Sequence, residues 1–341
     1  MKQAALTAPR TFDIQDAEKP QPGPGEALVR VRSVGVCGTD VHFYRGDLPM
    51  RPGQCMGHEM AGDVEATGAG VTRVAPGDRV AVEPLGNCGE CAPCRTGRYN
   101  LCANLRSFGL NTPGGLREYM AVPAASLYRL PENVDCELGA LTEPLAVAVH
   151  GLRGVGLAFG ERVGVLGAGT IGLLTVTAAR AMGAGYIAVT ARHRHQAAMA
   201  EAFGADAVLP EDAEGINALR RALAGGGDVI VETVGGHAET LGQAVTLVAP
   251  GGRICVLGLF NAPLQINPLM LTIREASLFF SNCYNRPGPT SDYDAAIEIL
   301  HRQPDTLRRM ITHRFPLDRV AEAYATAEDK SSGAIKVAVT P

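Results

Sequence analysis

The chain has 341 residues, of which 46% are hydrophobic and 19% are charged, and its formal net charge at pH 7 is -4. This composition excludes a disordered or collagen-like chain, and at about 150 residues per domain the length predicts two folded domains. The small negative charge offers no basic surface to a phosphate backbone, so we expect no nucleic acid partner.

The cysteines predict the compartment and the kind of chemistry. The first residues, Met1–Leu6, lack the basic start and long apolar run of a secretion signal, and no later stretch has the length of a membrane span. We therefore expect a cytoplasmic protein without a membrane partner. A reducing compartment does not preserve disulfides, so the nine cysteines predict metal or thiol chemistry.

The N-terminal part consists of short apolar runs broken by Gly and Pro, such as Ala27–Val31 and Arg79–Val82, which predicts a β-rich domain. Within it, Cys37 and the neighbours His58 and Glu59 supply a thiolate, an imidazole and a carboxylate. Three protein ligands and one exchangeable position are typical of catalytic zinc. Each of these residues alone is weak support, since a single Cys or His is more often structural.

Four further cysteines are spaced C-x2-C-x2-C-x7-C in a segment rich in Gly and Pro: Cys88, Cys91, Cys94 and Cys102. The short gaps let successive thiolates turn toward one centre, and four sulfur ligands complete a closed tetrahedron around a structural zinc. An iron-sulfur cluster is the alternative for four thiolates.

The middle of the chain carries a glycine motif of the dinucleotide-binding type. Val163–Leu166 has the pattern of a buried strand, an apolar helical stretch covers Leu173–Met182, and between them lie Gly167, Ala168, Gly169, Thr170, Ile171 and Gly172. The first Gly permits a tight turn, the second admits the pyrophosphate, and the third packs helix on strand.

Strand-like and helical segments continue to alternate up to about residue 285, which predicts a doubly wound parallel sheet. The strand-like segments are Ile187–Thr190, Ala207–Leu209, Val229–Val231 and Ile254–Gly258. At the end of the first of these, Ala191 stands where NAD enzymes have an acid, and Arg192 and Arg194 follow. Guanidinium groups here accommodate a 2'-phosphate, which favours NADP over NAD; the alternative is that both are surface charges.

Taken together, the motifs resemble those of the medium-chain, zinc-containing alcohol dehydrogenases, in particular the polyol (sorbitol-type) branch. The resemblance covers the whole chain and rests on Gly35–His42, Gly57–Glu59, the four cysteines, Glu143–Leu145, Gly167–Gly172 and Thr312–Leu317. It implies an α/β protein with a GroES-like β-rich domain (1–145 and 286–341, with a zinc lobe at 86–103) and a Rossmann domain (146–285). It also implies a homodimer or homotetramer and about two zinc ions per chain.

The resemblance also implies roles for single residues. Cys37, His58 and Glu59 match ligands of the catalytic zinc, and Glu143 matches a position that binds the metal directly or through water. Thr39 and His42 match a relay that removes the proton of the alcohol. Tyr44, Phe108 and Asn111 are expected to line the substrate pocket.

The expected activity is the reversible transfer of a hydride from a secondary alcohol of a polyol or sugar alcohol to a nicotinamide dinucleotide. Sorbitol itself is less favoured, because Ser281–Tyr284 replaces an Arg-Tyr pair typical of the polyol branch. Cys37–His42 also resembles the threonine dehydrogenases, which makes a threonine 3-dehydrogenase the second hypothesis. A non-catalytic nucleotide- and zinc-binding protein on the same fold is the third.

Overall fold

The structure is a computed structural model that describes residues 1–49 and 51–341. The chain divides into two compact units. The first unit comprises residues 1–143 and 285–341, and the second comprises residues 144–284. The boundaries predicted from the sequence lie at 145/146 and 285/286. Among the described residues, no helix combines the length and the apolar character needed to cross a bilayer.

The strands of the described residues lie in both units. They are β1 (Lys2–Ala8), β2 (Thr11–Asp16), β3 (Glu26–Gly35), β4 (Glu59–Thr67), β5 (Arg79–Val82), β6 (Leu85–Gly86), β7 (Arg106–Ser107), β8 (Tyr119–Pro123), β9 (Leu127–Arg129), β10 (Arg162–Leu166), β11 (Tyr186–Ala191), β12 (Ala207–Pro210), β13 (Gly227–Glu232), β14 (Val248–Val256), β15 (Ser277–Phe280), β16 (Ile311–Pro316) and β17 (Lys336–Thr340).

The α-helices concentrate in the second half of the chain. They are α1 (Gly38–Arg45), α2 (Ala92–Arg95), α3 (Cys136–Gly139), α4 (Thr142–Gly154), α5 (Thr170–Ala181), α6 (Arg194–Ala202), α7 (Ala213–Ala222), α8 (Thr240–Leu247), α9 (Pro268–Arg274), α10 (Asp292–Arg302), α11 (Pro304–Arg308) and α12 (Val320–Glu328).

A seven-stranded sheet forms the centre of the first unit, with the strand order β16-β17-β3-β4-β5-β9 and with β8 paired to β3. All of its pairs are antiparallel except β16–β17. Side chains such as Val29, Val31 and Met60 form its core because successive residues of a strand point to opposite faces. In the register of β3 and β4, Gly35 stands opposite Glu59, which brings one predicted ligand to the end of the long central strand.

The second unit is built on a six-stranded parallel sheet with the order β12-β11-β10-β13-β14-β15. Four of the five predicted strand segments fall within β10 to β13, and the fifth, Ile254–Gly258, extends two residues beyond the end of β14. The α/β class predicted from the sequence is confirmed. Buried Leu and Ile side chains from the sheet and from α7 and α8 form its core. The strand β15 ends at Phe280, so Ser281–Tyr284 follows the sheet instead of lying within it.

Candidate catalytic site and dinucleotide site

The three ligands predicted for a catalytic zinc lie together in the first unit. The ligand atoms offered by Cys37, His58 and Glu59 all lie within 4.8 Å of one another. Cys37 immediately precedes α1 in extended conformation, and His58 and Glu59 stand where β4 begins. A thiolate, an imidazole and a carboxylate at this separation are a suitable ligand set for a zinc ion that keeps one exchangeable position.

A buried carboxylate supports two of these ligands. Asp40 is fully buried; its Oδ1 lies 3.3 Å from His58 Nδ1, and its Oδ2 accepts a hydrogen bond from the Cys37 backbone N–H at 3.2 Å. Burial alone would lower the pKa of His58, but Asp40 and Cys37 raise it well above the ordinary value. Asp40 Oδ1 and His58 Nδ1 do not form a hydrogen bond, but the carboxylate beside Nδ1 leaves Nε2 for a metal.

The third ligand is held by a buried ion pair. Lys336 Nζ donates to Glu59 Oε1 and Oε2 at 2.7 and 2.6 Å and to the Val36 carbonyl oxygen at 3.1 Å, and both charged side chains are buried. Burial would lower the pKa of Lys336, but the charges of Glu59 and Cys37 raise it. Gly35 makes room for the carboxylate, because a Cβ there would lie 2.0 Å from Glu59 Oε2.

The remaining predicted catalytic residues lie on two helices. Glu143 is buried in the first turn of α4 and is close enough to Lys336 to act on its charge, but it is not part of the set within 4.8 Å. Thr39 and His42 are three residues apart in α1 and so lie on one face. His42 Nδ1 lies 2.9 Å from Asp47 Oδ2, an arrangement that leaves Nε2 as a proton acceptor.

The four remaining predicted ligands form a second centre at 86–103, the zinc lobe. The Sγ atoms of Cys88, Cys91, Cys94 and Cys102 all lie within 4.8 Å of one another. Three of the separations are 3.3 Å (Cys91–Cys94), 3.5 Å (Cys88–Cys102) and 3.9 Å (Cys88–Cys94). A tetrahedron with Zn–S distances of about 2.3 Å requires sulfur atoms about 3.8 Å apart, so the four thiols fit a zinc ion.

Backbone donors favour a thiolate in the lobe. The N–H groups of Cys91 and Glu90 lower the pKa of Cys88 to about 6, whereas burial and the neighbouring thiols raise that of Cys94 to about 12. A divalent cation removes this conflict because it binds all four sulfurs as thiolates.

Polar contacts connect the lobe to the rest of the first unit. Tyr99 and Tyr128 donate to the two carboxylate oxygens of buried Glu83, and Asn285 donates to Asn100 at 3.1 Å. Burial raises the pKa of Glu83 to about 7, although both tyrosines act to lower it.

The glycine motif of the second unit has the geometry of a dinucleotide site. Gly167 follows β10 with φ 97°, and Gly172 packs so closely that a Cβ would lie 1.9 Å from the Gly167 carbonyl oxygen. Gly169 precedes α5, and a Cβ there would meet nothing within 4 Å. This open position at a helix N-terminus, where Thr170 and Ile171 begin the first turn, suits a pyrophosphate.

The two predicted 2'-phosphate ligands lie where β11 ends. Ala191 is the last residue of β11, and Arg194 is the first of α6. Arg192 between them is an exposed residue whose Nη2 lies 2.7 Å from Glu211 Oε1. Both guanidinium groups thus belong to the segment after the second strand of the sheet, as the sequence predicts for an NADP site.

The residues predicted to line the substrate pocket all lie in the first unit. Tyr44 is 4% exposed and packs against Phe12 and Tyr324, with ring centroids 5.9 and 5.4 Å away. Phe108 packs on the core of the first unit, and Asn111 is exposed. The placement of Tyr44 gives no support to its assignment, and the role of the other two stays a prediction.

Sequence reasoning missed Asp40 and Lys336. Asp40 lies within the motif that identified Cys37, so its position close to a ligand in the sequence could have indicated a supporting role. Lys336 lies 277 residues from Glu59, and nothing in its own surroundings in the sequence indicates a partner.

Known proteins match the chain over nearly its whole length. Residues 23–132 match the alcohol dehydrogenase GroES-like domain, and residues 170–302 match the zinc-binding dehydrogenases. Sorbitol dehydrogenase of Homo sapiens is 34% identical, with 93% of this chain and 90% of that protein covered. L-idonate 5-dehydrogenase of Vitis vinifera is 32% identical, with 98% and 93% covered.

A solved structure agrees with these relatives. It is that of a zinc-binding dehydrogenase from Sinorhizobium meliloti 1021 bound to NADP, with 34% identity, a TM-score of 0.91, and 100% of this chain and 99% of that chain covered. Fold and site together define an NAD(P)-dependent alcohol dehydrogenase. The chain belongs to the zinc-containing alcohol dehydrogenase family, which confirms the resemblance found in the sequence.

Proposed function

We propose that the protein oxidises a secondary alcohol of a polyol or sugar alcohol, reversibly, with a nicotinamide dinucleotide as hydride acceptor. The observation that carries this proposal is the grouping of Cys37 and His58 with a carboxylate, Glu59, within 4.8 Å. A carboxylate ligand is typical of the polyol branch that the sequence resembles. The names of the human and grapevine relatives, which concern sorbitol and L-idonate, favour the same substrate class.

The residues of the first unit account for the proton that must leave the alcohol. Cys37, His58 and Glu59 would hold a zinc ion, which would supply a Lewis acid for the alcohol oxygen, and the dinucleotide would supply the hydride acceptor. Thr39 offers a hydroxyl that accepts one proton and donates another. His42 then takes up the proton at Nε2, because Nδ1 is engaged by Asp47.

The dinucleotide is proposed to be NADP. Arg192 and Arg194 supply two positive charges after β11, and no acid stands at Ala191 to bind a ribose diol. The related structure from Sinorhizobium meliloti contains NADP. Arg192 already pairs with Glu211 at 2.7 Å, so a phosphate would have to compete with that carboxylate.

Initial rates of the zinc-loaded protein test this function. The substrates to be compared are polyols, sugar acids, threonine and simple alcohols. We expect the initial rate of NADP reduction to be highest with polyols. Faster oxidation of threonine would favour the threonine dehydrogenase hypothesis. Preference for NAD would mean that Arg192 and Arg194 are surface charges, and inactivity on every substrate with zinc bound would support a non-catalytic role.

The same proposal includes self-association and a reducing compartment. Among the described strands, β15 lies at one end of the parallel sheet, and Phe280 in it and Leu269 and Ile273 in α9 are 60%, 60% and 67% exposed. An edge strand flanked by exposed apolar side chains is a surface for pairing with a second copy. Eight cysteines that serve as thiolate ligands or lie free and buried suit the cytoplasm.

A further inference from the structure

The first unit contains a cavity of about 270 Å³ whose charged lining residues are all basic. The walls come from the segment 51–55, the segment 110–113, Gln3 and Arg117. Arg51 and Arg117 both line it, and no Asp or Glu belongs to its described lining. The cavity therefore has a positive electrostatic potential, which favours an anion.

Two polar atoms in the wall have no hydrogen-bond partner among the described residues, although the Arg117 side chain as a whole lies beside the Cys55 thiol. Arg117 Nε and Thr112 Oγ1 are buried from solvent and make no hydrogen bond within the described part of the chain. Neither Arg51 nor Arg117 belongs to an ion pair of the described residues. A buried donor without an acceptor costs free energy. A bound anion that supplied the acceptor would remove this cost.

The other polar groups of the wall are already engaged or uncharged. Gln54 donates to the Gly109 and Leu110 carbonyl oxygens at 3.0 and 2.7 Å, and Asn111 is bonded to Ser107 and Leu105. Cys55 donates its S–H to the carbonyl oxygens of Gly114 and Leu116, and burial raises the pKa of this thiol although the neighbouring Arg117 acts to lower it. Among the described side chains of the wall, the unpaired groups are the Arg117 Nε–H donor and the Thr112 hydroxyl, which can also donate.

We propose that this cavity binds a small oxyanion, a phosphate or a carboxylate, through Arg51, Arg117 and the hydroxyl of Thr112. A guanidinium group matches such an anion with parallel N–H donors, and the hydroxyl adds a third direction. The anion is either the acidic end of a substrate or a free anion. The sequence is consistent with the acidic end of a substrate, because the wall residue Cys55 lies only three positions before the zinc ligand His58.

Calorimetric titration with inorganic phosphate at constant ionic strength tests the binding. The protein is zinc-loaded and saturated with dinucleotide, so that the cofactor's own phosphate site is filled. We expect one saturable site in the parent protein, and a Kd that rises about tenfold or more in Arg51→Gln and in Arg117→Gln. The control Arg302→Gln, at a side chain that is 68% exposed on α10, leaves Kd unchanged.

The absence of saturable binding in the parent protein, or equal Kd values in all variants, would overturn the proposal. Arg51 is exposed and is not part of the core, so its variant gives an answer even where Arg117→Gln fails to fold. This titration involves no turnover, so its failure and a failure of the dehydrogenase assignment are distinguishable.

Kinetic measurements distinguish the two sources of the anion. An acidic end of the substrate predicts that Arg51→Gln raises KM for a polyol acid or polyol phosphate about tenfold, while KM for a neutral polyol is unchanged. A free anion predicts the same Kd for phosphate with and without saturating neutral polyol. Competition between phosphate and the neutral polyol that survives in Arg51→Gln would place phosphate at the metal and overturn the proposal.

Discussion

Lys336 and Glu59 form an ion pair that is closed to solvent, and this makes each of them depend on the other. The lysine donates to both oxygens of a side chain that is also a predicted zinc ligand. Zinc and Lys336 therefore supply alternative positive charges to one carboxylate. We interpret Lys336 as a positioning residue that neutralises Glu59 when the metal is absent.

Replacing Lys336 by Met tests this interpretation. The chelator-treated variant should lose about 3–5 kcal/mol of unfolding free energy, because an unpaired buried carboxylate remains. The zinc-loaded variant should lose clearly less, because zinc provides the missing charge. Urea unfolding of both forms measures the difference.

A matched control is Lys19→Met, which removes one partner of the half-exposed pair with Glu65. It should cost at most about 1 kcal/mol in either form. Equal losses with and without zinc in Lys336→Met would contradict the role given to Lys336.

Glu83 is a second buried carboxylate, and its partners are two tyrosine hydroxyls instead of a cation. Its pKa in the folded protein is about 7, above the ordinary value of 4.5, with burial as the cause. Between these values the folded state retains a proton that the unfolded state has lost. The contribution of Glu83 to the free energy of unfolding is therefore greatest at low pH, falls as the pH rises toward about 7, and is constant above that pH.

The variant Glu83→Gln should lack this fall. Relative to the parent, it should gain unfolding free energy between about pH 5 and about pH 8, by up to about 3 kcal/mol. Chemical unfolding at the two pH values measures the gain, with exposed Glu201→Gln as control. A difference between Glu83→Gln and the parent that is the same at both pH values would show that Glu83 is ionised throughout.

At the scale of an element, the zinc lobe has little core of its own. The only α-helix between residues 86 and 103 is the four-residue α2, and none of its residues is buried. Such a segment depends on its metal, as small metal-bound domains do. It is attached to the rest of the first unit by the contacts of Tyr99 and Asn100 and by the hydrogen bond from the Arg286 N–H to the Gly97 carbonyl oxygen.

Cys94→Ser should lower the zinc content from about two ions to about one per chain. Amide hydrogen exchange should accelerate within 86–103 and stay unchanged in β3 and β4, because those strands have their own core. The control Cys255→Ser changes a buried thiol of β14 outside both centres and should keep both ions. Unchanged zinc content in Cys94→Ser would contradict the assignment of the lobe.

Local sequence patterns predicted the elements whose interacting residues lie close together in the chain. The lobe cysteines and the Gly167–Gly172 turn were predictable because their partners are within a few residues, so the spacing itself encodes the geometry. The strands β10 to β14 were predictable from apolar runs between glycines. The ligand set of Cys37, His58 and Glu59 came from the family resemblance and from residue types.

Other features depend on long-range contacts and had no local pattern. Lys336 reaches Glu59 only because β17 pairs with β3 and β3 with β4. Arg51 and Arg117 meet at a cavity although 66 positions separate them in the sequence. The burial of Tyr44 among aromatic rings was likewise not visible, since its helix α1 is short and mostly polar.

At the scale of the whole molecule, the exposed apolar surface of β15 and α9 predicts a dimer. Phe280→Glu places a charge on the edge strand and should shift the protein toward the monomer, with the molar mass from light scattering falling by about half. Phe159→Ser is the control, since this side chain is 92% exposed elsewhere in the second unit. A parent protein that is already monomeric, or a dimer that survives Phe280→Glu, would contradict this surface.

The central claim is that one of two zinc centres performs the chemistry and the other holds the fold. The most direct test is the zinc-loaded variant Cys37→Ser, which removes a ligand of the first centre and leaves the lobe intact. We expect about one zinc per chain, an unchanged circular dichroism spectrum, unchanged dinucleotide binding, and a polyol oxidation rate lowered by at least about a hundredfold. Retention of the full rate with a single zinc ion in the lobe would contradict the account.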